Sequence, residues 1–304
     1  MQEMELDRIK KKTLILTQTD PENDMVFSAW RTDGINADII FKPMPKIVRL
    51  IRRFWVDTFF PGYSIWYGEW KKNIEKYDTV IVHADVRTRT VPKFIHKIKP
   101  SMRVIYWYWN PVNRNSLPEL AKDPDIECWS FDEEDCKKYG MKKNIQYYYD
   151  QNIDDDKSIE YDIYFVGRDK GRKVFIDSIK NDLEQLHISY KFDVFGDNDI
   201  GIPYNEVQNR IRKAKAILEI NQEGQVGCTL RALEALFFRK KLITSNKYII
   251  TEDFYNSNNI FILGQDDLAD LKSFLNFQYD NKSDIYRSEH TINAWFMNFF
   301  KGRM

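Results

Sequence analysis

Two short segments of the chain combine glycine with cationic or hydroxyl side chains, as anion-binding loops do. The first, residues 166–172 (VGRDKGR), holds two glycines and three cations directly after an apolar run. Glycine lets a backbone approach a ligand closely, and cationic side chains pair well with a diphosphate. A tight turn with solvated charges is the alternative, because two glycines four positions apart are a weak signal.

The second segment, residues 221–234 (NQEGQVGCTLRALE), also follows an apolar run. Thr229 is predicted to cap a helix, and a capped helix start offers free N–H groups and a positive dipole end to a phosphate. Arg231 and Glu234 fall on one face of that helix. The buried face is predicted to hold Leu230, Leu233 and Phe237. A helix start that is stabilised only by a salt bridge is the alternative.

Composition limits the protein to a few functional classes. The chain has 304 residues, of which 43% are hydrophobic and 15% aromatic, so it is able to bury a sizeable core. Its 46 Lys and Arg residues equal its 46 Asp and Glu residues, which argues against a nucleic-acid-binding protein. The three cysteines and four histidines show no spacing typical of a metal site, and we expect no metal.

The sequence also predicts a compartment. The first twelve residues carry no apolar run of signal-peptide length. No window approaches the roughly 20 apolar residues that a membrane-spanning helix needs. The few cysteines suit a reducing environment. We therefore expect a cytoplasmic protein that is able to touch the inner face of the plasma membrane.

Short apolar, β-branched runs alternate with longer amphipathic segments along the whole chain. In the first half we predict strands at 13–17, 79–83, 103–109 and 126–130 and helices at 91–98 and 133–139. In the second half we predict strands at 161–166, 190–195, 216–220, 241–244 and 259–263 and helices at 170–186, 205–213, 230–238, 266–277 and 292–300. Because these strands are apolar throughout, they fit parallel sheets that are covered on both faces.

An acidic, apolar-poor stretch near residues 150–162 predicts a domain boundary. We expect a first lobe at 1–155, a second lobe at 156–290, and a C-terminal helix within 291–304 that packs back on the first lobe. The fold class is α/β, with two doubly wound, Rossmann-like lobes and a deep cleft between them. Ligands of such sheets bind beyond the carboxyl ends of the strands.

Residues 161–263 resemble the donor-binding half of bacterial glycosyltransferases with the GT-B fold, especially those of capsule, exopolysaccharide and O-antigen gene clusters. The resemblance is carried by residues 165–172, 224–234 and 240–246. Residues 107–111 and 130–139 carry it less specifically in the first half. The resemblance implies a GT-B fold and a nucleotide-sugar donor bound against the second lobe.

The resemblance also implies roles for individual residues. It assigns the donor diphosphate to Gly167, Arg168 and Lys170 in the first segment and to Gly227, Thr229, Leu230 and Arg231 in the second. Arg172 and Gln225 would be further donor-binding residues. Glu234 would take the ribose hydroxyls, and Tyr204 would lie near the base. Arg168 and Arg231 would stabilise the leaving group, so that neither a metal nor another cofactor is required.

An inverting member of this fold needs a general base near the acceptor hydroxyl. Asp20, after the first predicted strand, and Asp85, just beyond the strand that ends at His83, are the candidates. A turn or helix-cap role is the alternative for each, and His83 is interpreted as a satisfied core histidine. Many retaining members carry two glutamates eight positions apart, but Val226 stands eight before Glu234. The stereochemistry therefore stays open.

Residues 42–60 hold five cations, one acid and several large apolar side chains. A basic amphipathic helix of this kind binds the surface of an anionic membrane. The alternative is an ordinary helix that leaves its arginines in water and packs into the lobe with Ile47, Leu50, Ile51 and Phe54.

These observations predict a glycosyltransferase of the hexosyltransferase type. It would move a sugar from a nucleotide donor to a glycan acceptor, in particular a lipid-linked one, in bacterial surface polysaccharide synthesis. Two alternatives remain. One is a sugar-nucleotide epimerase of the same fold, and the other is a non-catalytic scaffold that binds sugar nucleotides.

Overall fold

The computed structural model describes residues 2–18, 25–58, 60–121, 123–149, 158–196, 199–221 and 226–302. The chain forms two compact units. One comprises Met1–Ile145 and Asn298–Met304, and the other comprises Gln146–Met297. The predicted boundary between residues 155 and 156 lies outside the described residues.

The first unit is built around a six-stranded parallel sheet. Its strands are β1 (Thr13–Thr17), β2 (Asn36–Ile39), β3 (Thr79–His83), β4 (Arg103–Tyr108), β5 (Glu127–Ser130) and β6 (Lys142–Lys143). They are ordered β2-β1-β3-β4-β5-β6. The helices are α1 (Gln2–Lys11), α2 (Met25–Thr32), α3 (Lys46–Asp57), α4 (Val91–Ile98) and α5 (Glu133–Tyr139). Short 3₁₀ turns occur at Tyr63–Trp66, Glu69–Lys72, Ile74–Lys76 and Pro118–Ala121.

The second unit contains a five-stranded parallel sheet. Its strands are β7 (Tyr161–Arg168), β8 (Tyr190–Phe195), β9 (Ala214–Glu219), β10 (Lys241–Thr244) and β11 (Ile260–Ile262). They are ordered β11-β10-β9-β7-β8. The helices are α6 (Lys173–Gln185), α7 (Tyr204–Arg212), α8 (Leu230–Phe237), α9 (Leu271–Asn276) and α10 (Ile292–Asn298). Further 3₁₀ segments occur at Lys247–Thr251, Leu268–Asp270 and Asn281–His290.

The elements agree closely with the sequence prediction where the pattern was strong. Strands β1, β3, β8 and β10 and helices α4 and α5 have the predicted bounds. The helix predicted from residue 170 begins only at Lys173, because Lys170 and Gly171 adopt positive φ angles of 47° and 81° that a helix does not tolerate. Helices α1 and α2 and strands β2 and β6 were not predicted.

The last helix belongs to the second unit except for Asn298, which belongs with the residues after it to the first unit. Trp295 of α10 packs against Tyr147 with ring centroids 4.4 Å apart. Phe299 instead packs against Trp107 and Trp129 in the first unit, at 5.8 and 5.0 Å. The predicted C-terminal segment is therefore divided between the units.

Helix α3 turns its apolar face outward. Exposed fractions are 75% for Ile47, 61% for Leu50, 51% for Ile51 and 72% for Phe54. Only Val56 of this helix is buried. The alternative in which these four side chains pack into the lobe is therefore wrong. No helix among the residues just described is both long and apolar enough to cross a membrane.

An ion pair between neighbouring strands stabilises the sheet of the first unit. Arg103 of β4 donates to both carboxylate oxygens of Glu127 in β5, each at 2.8 Å, and to the Phe299 carbonyl at 2.8 Å. Lys142 and the Trp129 indole add two bonds of 3.1 Å to the same carboxylate. Burial alone would raise the pKa of Glu127, but these donors outweigh it and lower that pKa to about 2.

We predict that Glu127→Gln destabilises the protein by roughly 2–3 kcal/mol at pH 7. Because the folded pKa lies below the unfolded one, the carboxylate stabilises the fold above pH 4–5 and loses this effect as the pH falls towards about 2. The difference between wild type and variant should thus shrink between pH 7 and pH 3 in urea unfolding followed by tryptophan fluorescence. Glu133→Gln, at an exposed ion pair with Lys137, is the control and should change little. Equal effects of both variants would contradict the prediction.

Candidate functional site

The two segments that the sequence analysis singled out meet at one edge of the second sheet. Strands β7 and β9 are parallel neighbours, and β7 ends at Arg168 while β9 ends at Glu219. The loops that follow therefore leave the sheet side by side. This is the edge at which open α/β sheets bind ligands.

Arg172 joins the two loops. Its guanidinium donates to the carbonyls of Arg168 at 2.6 Å and Asp169 at 3.2 Å in the first loop, and to the Ile220 carbonyl directly after β9. Burial lowers its pKa, although Asp169 acts in the opposite direction. The side chain that was predicted to bind the donor is therefore occupied by backbone carbonyls in this structure.

Arg168 and Lys170 differ in exposure. Arg168 is half-buried, and its guanidinium donates to the carbonyls of Gly196 at 2.6 Å and Asp199 at 3.2 Å, so it holds the loop after β8. Lys170 is exposed at the tip of the turn. A Cβ on Gly167 would lie 3.1 Å from the Phe165 ring, a spacing that leaves little room for a side chain.

A buried carboxylate that the sequence analysis did not single out organises the second loop. Glu219, the last residue of β9, is 2% exposed. One of its oxygens accepts a hydrogen bond from the Thr229 hydroxyl and the other from the Thr244 hydroxyl. Burial raises the pKa of Glu219, and the two hydroxyls oppose this rise. An acid that interrupts an apolar run at the end of a strand (AILEI) was the available signal.

Thr229 connects this carboxylate to helix α8. Its hydroxyl oxygen accepts from the Arg231 N–H at 3.0 Å, so the predicted helix cap is confirmed. Residues after β10 contact the residues on either side of positions 222–225, since Ser245 Oγ accepts from Asn221 N at 2.9 Å and Asn246 donates to the Val226 carbonyl at 3.2 Å. Residues 222–225, including the predicted ligand Gln225, lie outside the described residues.

Arg231 and Glu234 form an ion pair in the first turns of α8. The Glu234 side chain is completely buried, whereas 23% of the Arg231 side chain is exposed. The predicted burial pattern of this helix is thus partly wrong, because Glu234 faces the interior while Leu230 is half-exposed. Gly227 is buried just before the cap.

A tyrosine network holds the other oxygen of Glu234. Tyr204, the first residue of α7, donates to that oxygen at 2.5 Å and lies 2.9 Å from the Tyr148 hydroxyl. Gln208 donates to the hydroxyls of Tyr148 and Tyr149, at 3.1 Å each. Burial raises the pKa of Glu234 despite Arg231 and the Tyr204 hydrogen bond. The predicted contact of Glu234 with ribose hydroxyls stays a prediction, because its carboxylate has two protein partners and no exposed surface.

The candidate bases of the first unit have different outcomes. Asp20 lies outside the described residues. Asp85 follows β3, and its Oδ1 accepts from the Arg87 N–H at 3.0 Å, as a turn aspartate does. Its catalytic role stays a prediction.

His83, at the end of β3, lies between two tryptophans. The ring centroids of Trp30 and Trp109 are 5.2 and 5.5 Å from that of the imidazole. Burial lowers the pKa of His83 to about 3, so the ring is neutral at physiological pH. Its Nε2 is buried and has no hydrogen-bond partner in the part of the chain that the structure describes. The interpretation as a satisfied histidine is therefore wrong for this nitrogen.

No group of three or more metal-ligating side chains occurs among the described residues of either unit. The three cysteines are free thiols. The expectation that the protein needs no metal stays a prediction.

The fold is similar to that of the sucrose-phosphate synthase from Thermosynechococcus elongatus, with a TM-score of 0.54 and 9% sequence identity. The match covers 94% of this chain and 96% of that protein. Two parallel-sheet α/β lobes of this kind define the GT-B architecture, so the predicted fold class is confirmed. At this identity the likeness is one of fold.

Two further solved structures match at TM-scores below 0.5. HepE of Anabaena, solved with UDP, gives 0.46 at 11% identity and covers 95% of this chain and 94% of its own. The spinosyn rhamnosyltransferase SpnG gives 0.47 at 10% identity and covers 96% and 100%. No protein-family model matches the sequence, and no curated protein matches it.

We predict that Thr229→Val lowers stability by about 1–2 kcal/mol, because the variant loses both the helix cap and one partner of Glu219. Thr244→Val is the matched control, since it removes the other partner of Glu219 and leaves the cap intact. Amide hydrogen exchange in the first turn of α8 should rise in Thr229→Val and not in Thr244→Val. The same exchange rates in both variants would exclude a capping role for Thr229.

Proposed function

We propose that the protein is a glycosyltransferase that binds a nucleotide-sugar donor at the carboxyl edge of the second sheet. The observation that carries the proposal is the meeting of the two donor-type segments at that edge, where Arg172 joins them. Each segment leads from a strand through a loop into a helix, and the second helix is capped by Thr229, an arrangement that stabilises a bound diphosphate. The GT-B fold supports the same conclusion.

Three features of this edge suit the charge that develops on a leaving nucleoside diphosphate. Lys170 is exposed on the first loop, Arg231 is partly exposed at the start of α8, and the N-terminal end of α8 adds its dipole. Preorganised positive groups of this kind lower the barrier to departure of an anionic leaving group. Arg168 adds positive charge while its guanidinium holds the loop after β8.

Glu234 and Tyr204 act as positioning residues in this proposal. The buried carboxylate fixes the Arg231 guanidinium, and the Tyr204 hydroxyl fixes the carboxylate. An arginine that is already held in one geometry loses less conformational entropy on binding an anion. From the resemblance we also propose that Tyr204 lies near the donor base.

The finer part of the proposal concerns the acceptor. We propose a glycan acceptor, in particular a lipid-linked one in surface polysaccharide synthesis, and a hexosyl group as the transferred sugar. Asp85, at the carboxyl end of β3 in the first unit, is the described candidate for the general base. Direct displacement at the anomeric carbon would transfer the acceptor proton to this carboxylate as the new glycosidic bond forms and the nucleoside diphosphate leaves.

We predict that one sugar nucleotide from a panel raises the melting temperature. A ligand at 100 times its dissociation constant should add about 2.7 kcal/mol of stability. The double variant Arg231→Gln with Glu234→Gln avoids an unpaired buried charge and should weaken binding at least tenfold in calorimetry. Lys180→Gln, at a surface pair with Asp177, is the control and should bind as wild type. The donor site fails if wild type binds no sugar nucleotide or if the double variant binds it normally.

The same panel separates the alternatives. A glycosyltransferase releases nucleoside diphosphate when a glycan acceptor is present. An epimerase converts the sugar nucleotide without an acceptor, and a scaffold binds it without conversion.

We predict a second property from α3, whose outward apolar face lies among the cations Lys42, Lys46, Arg49 and Arg53. This combination complements the acyl boundary and the negative headgroups of an anionic membrane. The protein should sediment with phosphatidylglycerol vesicles and much less with phosphatidylcholine vesicles. Leu50→Ser with Phe54→Ser should lower this binding at least tenfold, whereas Val174→Ser, at an exposed apolar residue of the second unit, should not. Unchanged sedimentation of the double variant would exclude α3 as the contact.

A further inference from the structure

The first unit contains a cavity of about 410 Å³ that is unusually rich in positive charge. Five of its ten described lining residues are cationic, and none of these ten is acidic. We call it the arginine pocket, after its cations Arg49, Arg52, Arg53 and Arg87, with Lys42. A chain with equal numbers of acids and bases does not produce such a cluster by overall composition.

The arginine pocket lies at the carboxyl ends of three neighbouring strands. Gln18 follows β1, Ile39 ends β2, and Arg87 belongs to the turn after β3; all three line the cavity. These strands are adjacent in the order β2-β1-β3. The pocket therefore occupies the ligand-binding edge of the first sheet, as the donor-type loops do in the second.

In the part of the chain that the structure describes, no acidic side chain lines the pocket beside these guanidinium groups. Arg52 lies over the Phe41 ring, with 4.2 Å between its Cζ and the ring centre. The Nε atoms of Arg52 and Arg87 are buried and have no hydrogen-bond partner among the described residues. Burial first, and then repulsion by Arg53, Arg87 and Arg49, lowers the pKa of Arg52. Such crowding is unfavourable unless an anion compensates it.

The orientation of α3 explains how the arginines reach the pocket. Arg49, Arg52 and Arg53 line the pocket and share with the buried Val56 the spacing of one helix face. The exposed residues 47, 50, 51 and 54 have the same spacing on the other side. Arg52 is half-buried, whereas Arg49 and Arg53 line the pocket and remain exposed. The apolar face of the helix is turned to solvent, which reverses the usual arrangement of a surface helix.

We infer that the arginine pocket binds a phosphate or diphosphate group of a ligand. Arginine forks bind phosphate oxygens in pairs, and buried N–H donors add directed hydrogen bonds. The cavity is many times larger than the roughly 30 Å³ that one water occupies in the liquid. The site belongs to the first unit, whereas the proposed donor site belongs to the second, and the chemistry of the pocket does not depend on sugar transfer.

Two sources supply this chemistry. One is the diphosphate of a polyprenyl-linked acceptor, which would make the pocket the acceptor anchor of the proposed transferase. The other is the headgroup of an anionic phospholipid, which would make it part of the membrane contact of α3.

The first experiment measures calorimetric binding of inorganic diphosphate to the full chain. Because a donor site would also bind diphosphate, Arg231→Gln with Glu234→Gln serves as the background. In that background, adding Arg52→Gln with Arg87→Gln should weaken diphosphate binding at least tenfold. Lys46→Gln, which removes the same kind of charge from α3 but lies outside the pocket, should leave it unchanged. Circular dichroism confirms folding, and Arg52→Gln alone replaces the pair if the pair is unfolded.

The inference is overturned if the background variant binds no diphosphate, or if the pocket variant binds it as tightly as Lys46→Gln. Loss of sugar-nucleotide binding when Arg52→Gln with Arg87→Gln is introduced into the otherwise wild-type chain would also contradict it, since the donor loops belong to the second unit. Failure of the donor site alone changes neither of the two diphosphate readouts.

The second experiment distinguishes the sources with phosphatidylcholine vesicles that contain either a polyprenyl diphosphate or phosphatidylglycerol. If the pocket anchors the acceptor, Arg52→Gln with Arg87→Gln should weaken binding to the vesicles with polyprenyl diphosphate and leave binding to the phosphatidylglycerol vesicles unchanged. A headgroup site predicts a loss on phosphatidylglycerol as well. If the variant binds both kinds of vesicle as wild type does, the pocket binds neither lipid, and both proposed sources of the phosphate group are excluded.

Discussion

Parallel pairing throughout both sheets is the constraint on which the rest of the structure depends. Strands that run in one direction deliver every following loop to the same edge, and the chain must cross back over a face of the sheet each time. In the second unit this rule places the loops after Arg168 and Glu219 together. In the first unit it places Gln18, Ile39 and Arg87 around one cavity. Residues distant in sequence become neighbours because of strand direction alone.

The charged side chains at the carboxyl edges of the two sheets differ in whether they have partners. In the second, Glu219 is held by two threonine hydroxyls and Glu234 by Arg231 and Tyr204, so each carboxylate has a partner at both oxygens. In the first, arginines gather without acids among the described residues. Carboxylates with a partner at each oxygen hold a loop in one conformation, whereas a cluster of unpartnered guanidinium groups is stabilised when an anion binds to it.

The sequence predicted those parts of the fold that depend on local pattern. Continuous apolar runs identified β1 and β3 because a strand buried on both faces carries that signal by itself. Strand β2 (NADI) was missed because two of its four residues are polar and its edge position needs little apolar surface. The start of α6 was misplaced because the left-handed Lys170 is not marked by its residue type.

Prediction of the site had a different limit. The capping role of Thr229 could be predicted because it depends on neighbours in sequence. The burial of Glu234 could not, since its partner Tyr204 lies 30 residues away. The outward face of α3 was equally invisible, because a helical wheel shows two faces without showing which one meets the protein.

The division of the first unit into two pieces of chain has a consequence for biosynthesis. Arg103 precedes Phe299, whose carbonyl it binds, by 196 residues, and the Phe299 ring covers Trp107 and Trp129. At 5–20 residues per second, a ribosome needs roughly 10–40 s to make that interval. Until then the two indoles lack their cover, although most of their own unit has long left the ribosome. The first unit is therefore synthesised first but completed last. Until Phe299 is made, the nascent chain exposes the apolar indoles of β4 and β5, which a chaperone is able to recognise.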